Sequence, residues 1–389
     1  MQIVTVHPFD PWGEKVGGVE TLVRLMLTHA PPEAQLSVIG VSEDDKPVGE
    51  WLPLDWGGRP VNFYGLLRDD NPNRRKFMPL SLRFAWALRK LRCDFEEATC
   101  VYHRPEPLAF TSLQSQRNLL AFHSDPKQWV SAASEVKWKH APWLYRMVEA
   151  RAVANAEVLS GVNAATVDTL KRRYPARGGA IRRVSTTYRS DMFYPAKPDE
   201  RERLRGQFAE KFQFNPEGKW VLFAGRLEQQ KAPLLALEAF ARAKQLAPGE
   251  ELALIVIGQG GLLDAMKRRA YELRISDSVL FLGAQPQARV AEWMRAADVF
   301  LMTSSFEGLP IALLEAQACG LPAVAGKAGD IGEVVCSGQN GELVERQDAD
   351  MYTNALIKIL SMNRETISEQ CVQAVQTYTP KEVISEWLQ

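Results

Sequence analysis

Residues 303–326 read Thr-Ser-Ser-Phe-Glu-Gly-Leu-Pro-Ile-Ala-Leu-Leu-Glu-Ala-Gln-Ala-Cys-Gly-Leu-Pro-Ala-Val-Ala-Gly. The apolar run Val299-Phe300-Leu301-Met302 stops just before them and has the make-up of a buried parallel strand. Ser304 and Ser305 are able to cap a helix that starts a few residues later, and Pro310 suits a first helical turn, where its missing N–H costs nothing. Ile311, Leu314 and Ala318 recur at helical spacing. Gly320 closes the helix, and Leu321-Pro322 forbids its continuation. The stretch therefore predicts strand, tight loop, helix and next strand, the last at Ala323-Val324-Ala325.

Glu307 and Glu315 lie eight residues apart in this stretch. Glu307 precedes the helix, while Glu315 is expected about two turns inside it. A carboxylate within the helix can accept hydrogen bonds from two hydroxyls of one sugar ring, and one at the mouth can reach a second ring. Between them, free N–H groups at the helix start offer an anion site. A diphosphate with a sugar on each side fits that layout. Taken singly, each glutamate also reads as an ordinary helix residue, solvated or favoured by the dipole.

Glu307-x7-Glu315, within Phe306-Glu307-Gly308-Leu309-Pro310-Ile311-Ala312-Leu313-Leu314-Glu315-Ala316, resembles the signature of family 4 retaining glycosyltransferases. The resemblance covers most of the chain and is densest from Trp220 to Val344. It implies an α/β chain of the GT-B fold, with two Rossmann-like doubly wound domains facing across a cleft.

Length and composition agree with two domains. The 389 residues exceed one ordinary domain, and 46% apolar with 24% charged residues is globular. The formal net charge is zero, so nothing global argues for a nucleic-acid partner. No 18-residue apolar run is present. The start, Met1-Gln2-Ile3-Val4-Thr5-Val6, runs straight into a strand and shows no signal-peptide pattern. Five widely spread cysteines suit a reducing compartment. A cytoplasmic protein is the expectation, peripheral on the inner face of the membrane if the basic stretch Arg68–Arg92 docks there.

Strand and helix patterns alternate twice, with a Pro-punctuated junction at Phe193-Tyr194-Pro195 and Lys197-Pro198-Asp199. The expected domains are 1–192 on the acceptor side and 199–375 for the nucleotide sugar, with 376–389 crossing back to the first. The junction resembles the family's linker. Thr186-Thr187-Tyr188-Arg189 stands where the family usually has Asn-Gly-Val-Asp.

In the first domain, Gly17-Gly18 before an apolar helix allows close approach of backbone to phosphate. It resembles the glycine-rich loop that approaches the donor diphosphate. Residues 45–75 read as irregular, with Trp51 and Trp56 open to local packing or acceptor contact. His123 ends a predicted parallel strand, where a side chain points into the cleft of a doubly wound sheet. The resemblance implies contact with the donor sugar; a loop hydrogen bond is the alternative. Trp138, Trp143, Tyr145 and Met147 are expected in a helical core.

Two stretches are basic. Arg68–Arg92 interleaves eight Arg/Lys with apolar residues, which suits an amphipathic helix on an anionic membrane surface. A packed helix with a solvated basic face is the alternative. Lys171–Arg189 holds seven basic residues and no acid, a patch for an anionic acceptor or a solvated edge.

In the second domain, Arg226 and Lys231 flank a strand-to-helix turn at the carboxyl edge of a parallel sheet. Two cations with a helix start make a diphosphate clamp. This resembles the family's Gly-Arg-Leu-x-x-x-Lys motif, with Ala232 where glycine is common. Gly258-Gln259-Gly260-Gly261 does not meet the dinucleotide fingerprint. Asp348-Ala349-Asp350 precedes a helix and reads as a cap rather than a metal site.

The resemblance thus implies a retaining hexosyltransferase that needs no metal and no cofactor. Its substrates would be a nucleotide-diphosphate sugar, UDP-glucose first and GDP-mannose second, and a saccharide or lipid-linked oligosaccharide acceptor in surface polysaccharide synthesis. Arg226, Lys231, Gly17, Gly18, Gly308 and Leu309 would hold the diphosphate, Glu315 the ribose, and Glu307 and His123 the transferred sugar. A GT-B nucleotide-sugar epimerase or hydrolase, and a catalytically silent binding subunit, are the alternatives.

Overall fold

A computed structural model describes residues 1–13, 17–43, 45–69, 78–111, 113–129, 138 and 141–389. The chain divides into two compact units: 1–186 with 380–389, and 187–379.

The first unit is built on a sheet of eight strands among the described residues: β1 Gln2–Val6, β2 Gln35–Ser42, β3 Trp51–Trp56, β4 Arg59–Arg68, β5 Asp94–Tyr102, β6 Gln114–Phe122, β7 Val158–Gly161 and β8 Ile181–Arg183. Their order is β3-β4-β2-β1-β5-β6-β7-β8. Only the β3–β4 pair is antiparallel among these strands. The apolar residues of β1 and β2, and the carboxyl ends of β5 and β6 from Ala98 and Leu119 onward, are buried on both faces, as a helix-covered parallel sheet requires. The sheet's direction of growth reverses between β1 and β5, which makes a topological switch point there.

The second unit has six parallel strands: β9 Lys219–Ala224, β10 Leu252–Ile257, β11 Val279–Gly283, β12 Val299–Met302, β13 Ala323–Gly326 and β14 Gly341–Val344. The order β11-β10-β9-β12-β13-β14 is doubly wound, with its switch point between β9 and β12. One apolar cluster, through Leu222, Ile255, Phe300 and Leu313, fills one face. A second, through Val221, Leu254, Leu301 and Phe240, fills the other.

Several expectations need correction. Residues 45–75 are not irregular throughout, because β3 and β4 form a hairpin. Gly57 and Gly58 have φ of 59° and 87°, the paired left-handed conformation whose twist suits a two-residue hairpin turn. Trp56 pairs with Arg59 across it. Trp56 packs on Trp12 at 5.5 Å, and Trp51 on Tyr64 at 5.1 Å.

Trp138 and Tyr145 are buried, but Trp143 and Met147 are 66% and 62% exposed. In the helix Pro142–Ala154 the buried residues are Tyr145, Val148, Glu149, Ala152 and Val153, one face at helical spacing. Residues 143 and 147 fall on the opposite face.

The basic stretch 171–189 is partly spent inside the unit. Arg173 pairs with Glu149 at 2.7 Å, Arg177 donates to the Ala156 carbonyl, and Arg182 donates to the Trp387 carbonyl at 3.0 Å. In the stretch 68–92, Arg74, Arg75, Lys76 and Phe77 lie outside the described residues. The helix there is short, Leu80–Leu88, and buries Ser81, Phe84, Ala85 and Leu88. Trp86 is exposed, with Lys90 Nζ 3.9 Å above its ring centre.

The last helix, Pro380–Leu388, groups with the first unit. Val383, Ile384 and Trp387 join the cluster under Leu22, Met26, Val38 and Leu119.

Candidate functional site

The loops after β9 and β12 flank the switch point of the second unit, where ligands bind in open α/β sheets. They are laced together. Thr303 Oγ1 donates to the carbonyls of Lys231 and Ala232, each at 3.0 Å. The Ser305 amide and hydroxyl donate to the Gln230 carbonyl at 2.9 and 3.1 Å. Gln230 Nε2 donates to the Phe306 carbonyl at 2.9 Å. Lys231 Nζ then meets Glu307 Oε1 at 2.5 Å. Polar groups that water could solvate loosely are instead bound to one another, which holds the mouth of the site in one geometry.

This lacing replaces the expected cap. Ser305 faces Gln230, and Pro310 itself is the residue before the helix Ile311–Ala318, with no side-chain cap. Glu315 is therefore just over one turn from the helix start, not two. The bonds Leu313 N to Pro310 O and Leu314 N to Pro310 O leave the amides of Ile311 and Ala312 ahead of the helical ladder. The helix ends at Gly320, where Gly320 N bonds to Gln317 O and Leu321 N to Ala316 O, the paired bonds of a Schellman stop.

Glu315 is 8% exposed. Burial pushes its carboxyl up to about 7, and the Arg189 guanidinium offsets only part of that. A carboxyl so placed gains from hydroxyl donors that would favour its charged form. Glu307 is equally buried, but Lys231 compensates it.

Gly329 and Asp330 press on the same loop. The Asp330 amide donates to the Gly308 carbonyl at 3.0 Å. A Cβ at Gly329 would lie 2.3 Å from the Glu307 carbonyl oxygen and 2.4 Å from that of Gly308, and φ there is 54°. Leu309 is buried in the core and fixes the loop from below. Arg226 is exposed at the end of β9 and has no ion-pair partner among the described residues. The turn beneath it is held by Leu227 N to Gln259 O at 2.9 Å and Gly261 N to Glu228 Oε1 at 3.0 Å.

Gly17, Gly18 and His123 belong to the first unit. Gly17 precedes the helix Gly18–His29 without a side-chain cap. The Glu20 carboxylate sits over it, since a Cβ at Gly17 would lie 2.3 Å from Glu20 Oε2. His123 Nε2 lies 2.9 Å from His103 Nδ1, and its ring stacks on Trp387 at 5.9 Å.

No group of three or more His, Cys, Asp or Glu among the described residues could hold a metal ion. Asp348 Oδ1 accepts from the Met351 amide at 3.1 Å and so caps the helix Ala349–Leu360. No helix among the described residues is long and apolar enough to cross a membrane.

The sequence reading missed the laces from Gln230, Thr303 and Ser305, and the partners of His123. A signal for the latter was present: three strand runs end in Val6-His7, Tyr102-His103 and Phe122-His123.

Residues 205–377 match the family described as glycosyl transferases group 1. A D-inositol 3-phosphate glycosyltransferase of Corynebacterium jeikeium is 33% identical over 220 residues, 55% of this chain and 52% of the relative. One of the same name from Streptosporangium roseum is 29% identical over 362 residues, 88% of this chain and 76% of the relative. The chain spans about half the length of the first of these relatives. Anabaena HepE in complex with UDP-glucose superposes with a TM-score of 0.69 at 17% identity, covering 100% of this chain and 98% of that one. Residues 205–377 thus match glycosyl transferases group 1, and the chain has the GT-B fold of two Rossmann-like units.

Proposed function

We propose that the protein is a retaining, metal-independent hexosyltransferase that uses a nucleotide-diphosphate sugar. The observation that carries this reading is the pair of laced loops at the β9/β12 switch point, which present Arg226, Lys231, Glu307 and free helix amides within one unit. Arg226 and Lys231 hold the diphosphate, with the amides near Gly308 and Leu309 and the Gly17-Gly18 backbone. Each charge-assisted hydrogen bond contributes about 1.5–3 kcal/mol. The leaving diphosphate gains negative charge in the transition state, so the same groups favour departure. Glu315 accepts the ribose hydroxyls. Glu307 and His123 contact the transferred sugar.

The reaction is a same-face displacement in which the acceptor oxygen bonds to the anomeric carbon as the bond to the diphosphate breaks. The acceptor's proton passes to the departing diphosphate. UDP-glucose is the first donor to test, supported by the UDP-glucose complex of HepE, and GDP-mannose the second. The acceptor is a saccharide or lipid-linked oligosaccharide. The relatives' names favour a second reading, a phosphorylated polyol acceptor.

Docking on an anionic membrane surface is supported by exposed Trp86 beside Lys90, and by exposed Trp143 and Met147 on a helix that, like Leu80–Leu88, packs on Pro105–Phe110. Flotation with vesicles containing phosphatidylglycerol tests it, and flotation unchanged in Trp86→Ala/Trp143→Ala rejects that surface.

Transfer of labelled glucose or mannose in EDTA tests the central reading. Arg226→Ala should lose about 100-fold or more in rate, with an α-linked product from an α-linked donor. An inverted product, or near-normal rates in the variant, would reject it.

A further inference from the structure

Three neighbouring strands of the first unit end alike. β1, β5 and β6 lie side by side and parallel, with Val6 opposite Tyr102 and Tyr102 opposite Leu120. Each is followed by a histidine, so His7, His103 and His123 leave the sheet at one edge. His103 is 2% exposed. Its ring and that of His123 have centres 5.1 Å apart and planes only 22° apart, and Nδ1 of His103 lies 2.9 Å from Nε2 of His123, edge to edge. Trp387 lies against both rings, at 6.2 and 5.9 Å. His7 meets His103 edge-on at 5.6 Å.

Burial holds both rings of the pair neutral: His103 is lowered well below the ordinary histidine value and His123 to about 3. Each neutral ring carries one proton, so the hydrogen bond between them uses one N–H and one lone pair. His103 Nε2 is buried with no hydrogen-bond partner among the described residues. A proton there would be an orphaned buried donor, a rarer and costlier state than an unused lone pair. The His103 proton therefore sits on Nδ1 and is donated to His123 Nε2. The His123 proton is left on Nδ1.

We propose that His103 is a positioning residue for the reaction: it donates from Nδ1 to His123 Nε2, fixing the His123 ring as the Nδ1–H tautomer, so that His123 presents a neutral N–H donor to an oxygen of the transferred sugar. The part of this that concerns the sugar rests on the function proposed above. The pairing itself does not.

The test is nitrogen-detected NMR of the full chain with 15N-labelled histidine, with His123 assigned through His123→Gln. The wild type should show His123 protonated on Nδ1. In His103→Phe the proton should move to Nε2 for a large share of molecules. In His103→Asn, whose side-chain amide supplies an N–H near the place of Nδ1, it should stay on Nδ1. In transfer assays His103→Phe should lower kcat about 10- to 100-fold, with donor KM changed less than about twofold, and His103→Asn should recover part of the loss. His123 protonated on Nε2 in the wild type, or held on Nδ1 in His103→Phe, overturns the pairing. A moved proton with undiminished transfer overturns the placement of His123 at the sugar, and with it the positioning role.

Discussion

Lys231 Nζ lies 2.5 Å from Glu307 Oε1, which ties the loop after β9 to the loop after β12 across the switch point of the second unit. The Glu307 side chain is 9% exposed and that of Lys231 19%, so the pair is shielded more than a surface ion pair. On the proposed function, a diphosphate held by Lys231 shares it with Glu307. Glu307→Gln should bind nucleoside diphosphate as tightly as the wild type or up to about tenfold tighter, while transferring sugar more slowly. Calorimetry checks this, and a tenfold weaker Kd would contradict the sharing. For Lys231→Ala, which strands a buried carboxylate, a stability loss of about 1–3 kcal/mol is expected in urea unfolding.

Glu315 makes stability depend on pH and, on the proposed function, nucleotide binding as well. Its carboxyl stands at about 7 in the folded chain against an ordinary 4.5. Between those values the folded state keeps a proton that the unfolded state has released, so stability from this group is present below about 4.5 and lost as pH rises to about 7. Glu315→Gln should accordingly be more stable than the wild type at pH 8, by roughly 3 kcal/mol. Ribose hydroxyls favour the ionised form, so nucleotide affinity should rise from pH 6 to pH 8 with proton release on binding. Titrations in buffers of different ionisation enthalpy measure that release; proton uptake would contradict the assignment.

Ala232 has φ 44° and ψ 51°, a left-handed conformation that an L side chain disfavours. Its carbonyl is fixed by Thr303, so the backbone is held there. Ala232→Gly should raise stability by about 0.5–1 kcal/mol, read as a higher urea midpoint for the second unit. A lower midpoint would show that the position is not strained.

Trp387 is fully buried and donates from Nε1 to the Ser185 carbonyl at 3.2 Å. Trp387→Ala should cost about 3–5 kcal/mol, and the loss should fall on the first unit, as limited proteolysis of the two units would show. Equal loss in both would contradict the grouping of 380–389 with residues 1–186.

What can be read from the chain is local. The long apolar runs of β9, β10 and β12 and the punctuation at Gly320 and Pro322 mark strands and helix ends, because those signals depend on near neighbours. The β3–β4 hairpin is hidden by Pro53 and Asp55, which blur the alternation, although Gly57-Gly58 marks its turn. Trp143 and Met147 read as core because their helix is apolar on more than one face. The laces from Thr303 to Lys231 and from Ser305 to Gln230 join residues more than 70 apart. The pairing of His103 with His123 depends likewise on which strands are neighbours: the histidine after each strand run marks the candidates, and only the strand order selects the pair.

The most direct test is calorimetric binding of UDP and of GDP, in EDTA, to the wild type, Arg226→Ala and Glu315→Ala. Saturable binding of one nucleotide, weakened at least about tenfold in each variant, is the predicted result and would name the base. Binding of neither nucleotide, or equal binding by all three proteins, would contradict a metal-free donor site on the second unit.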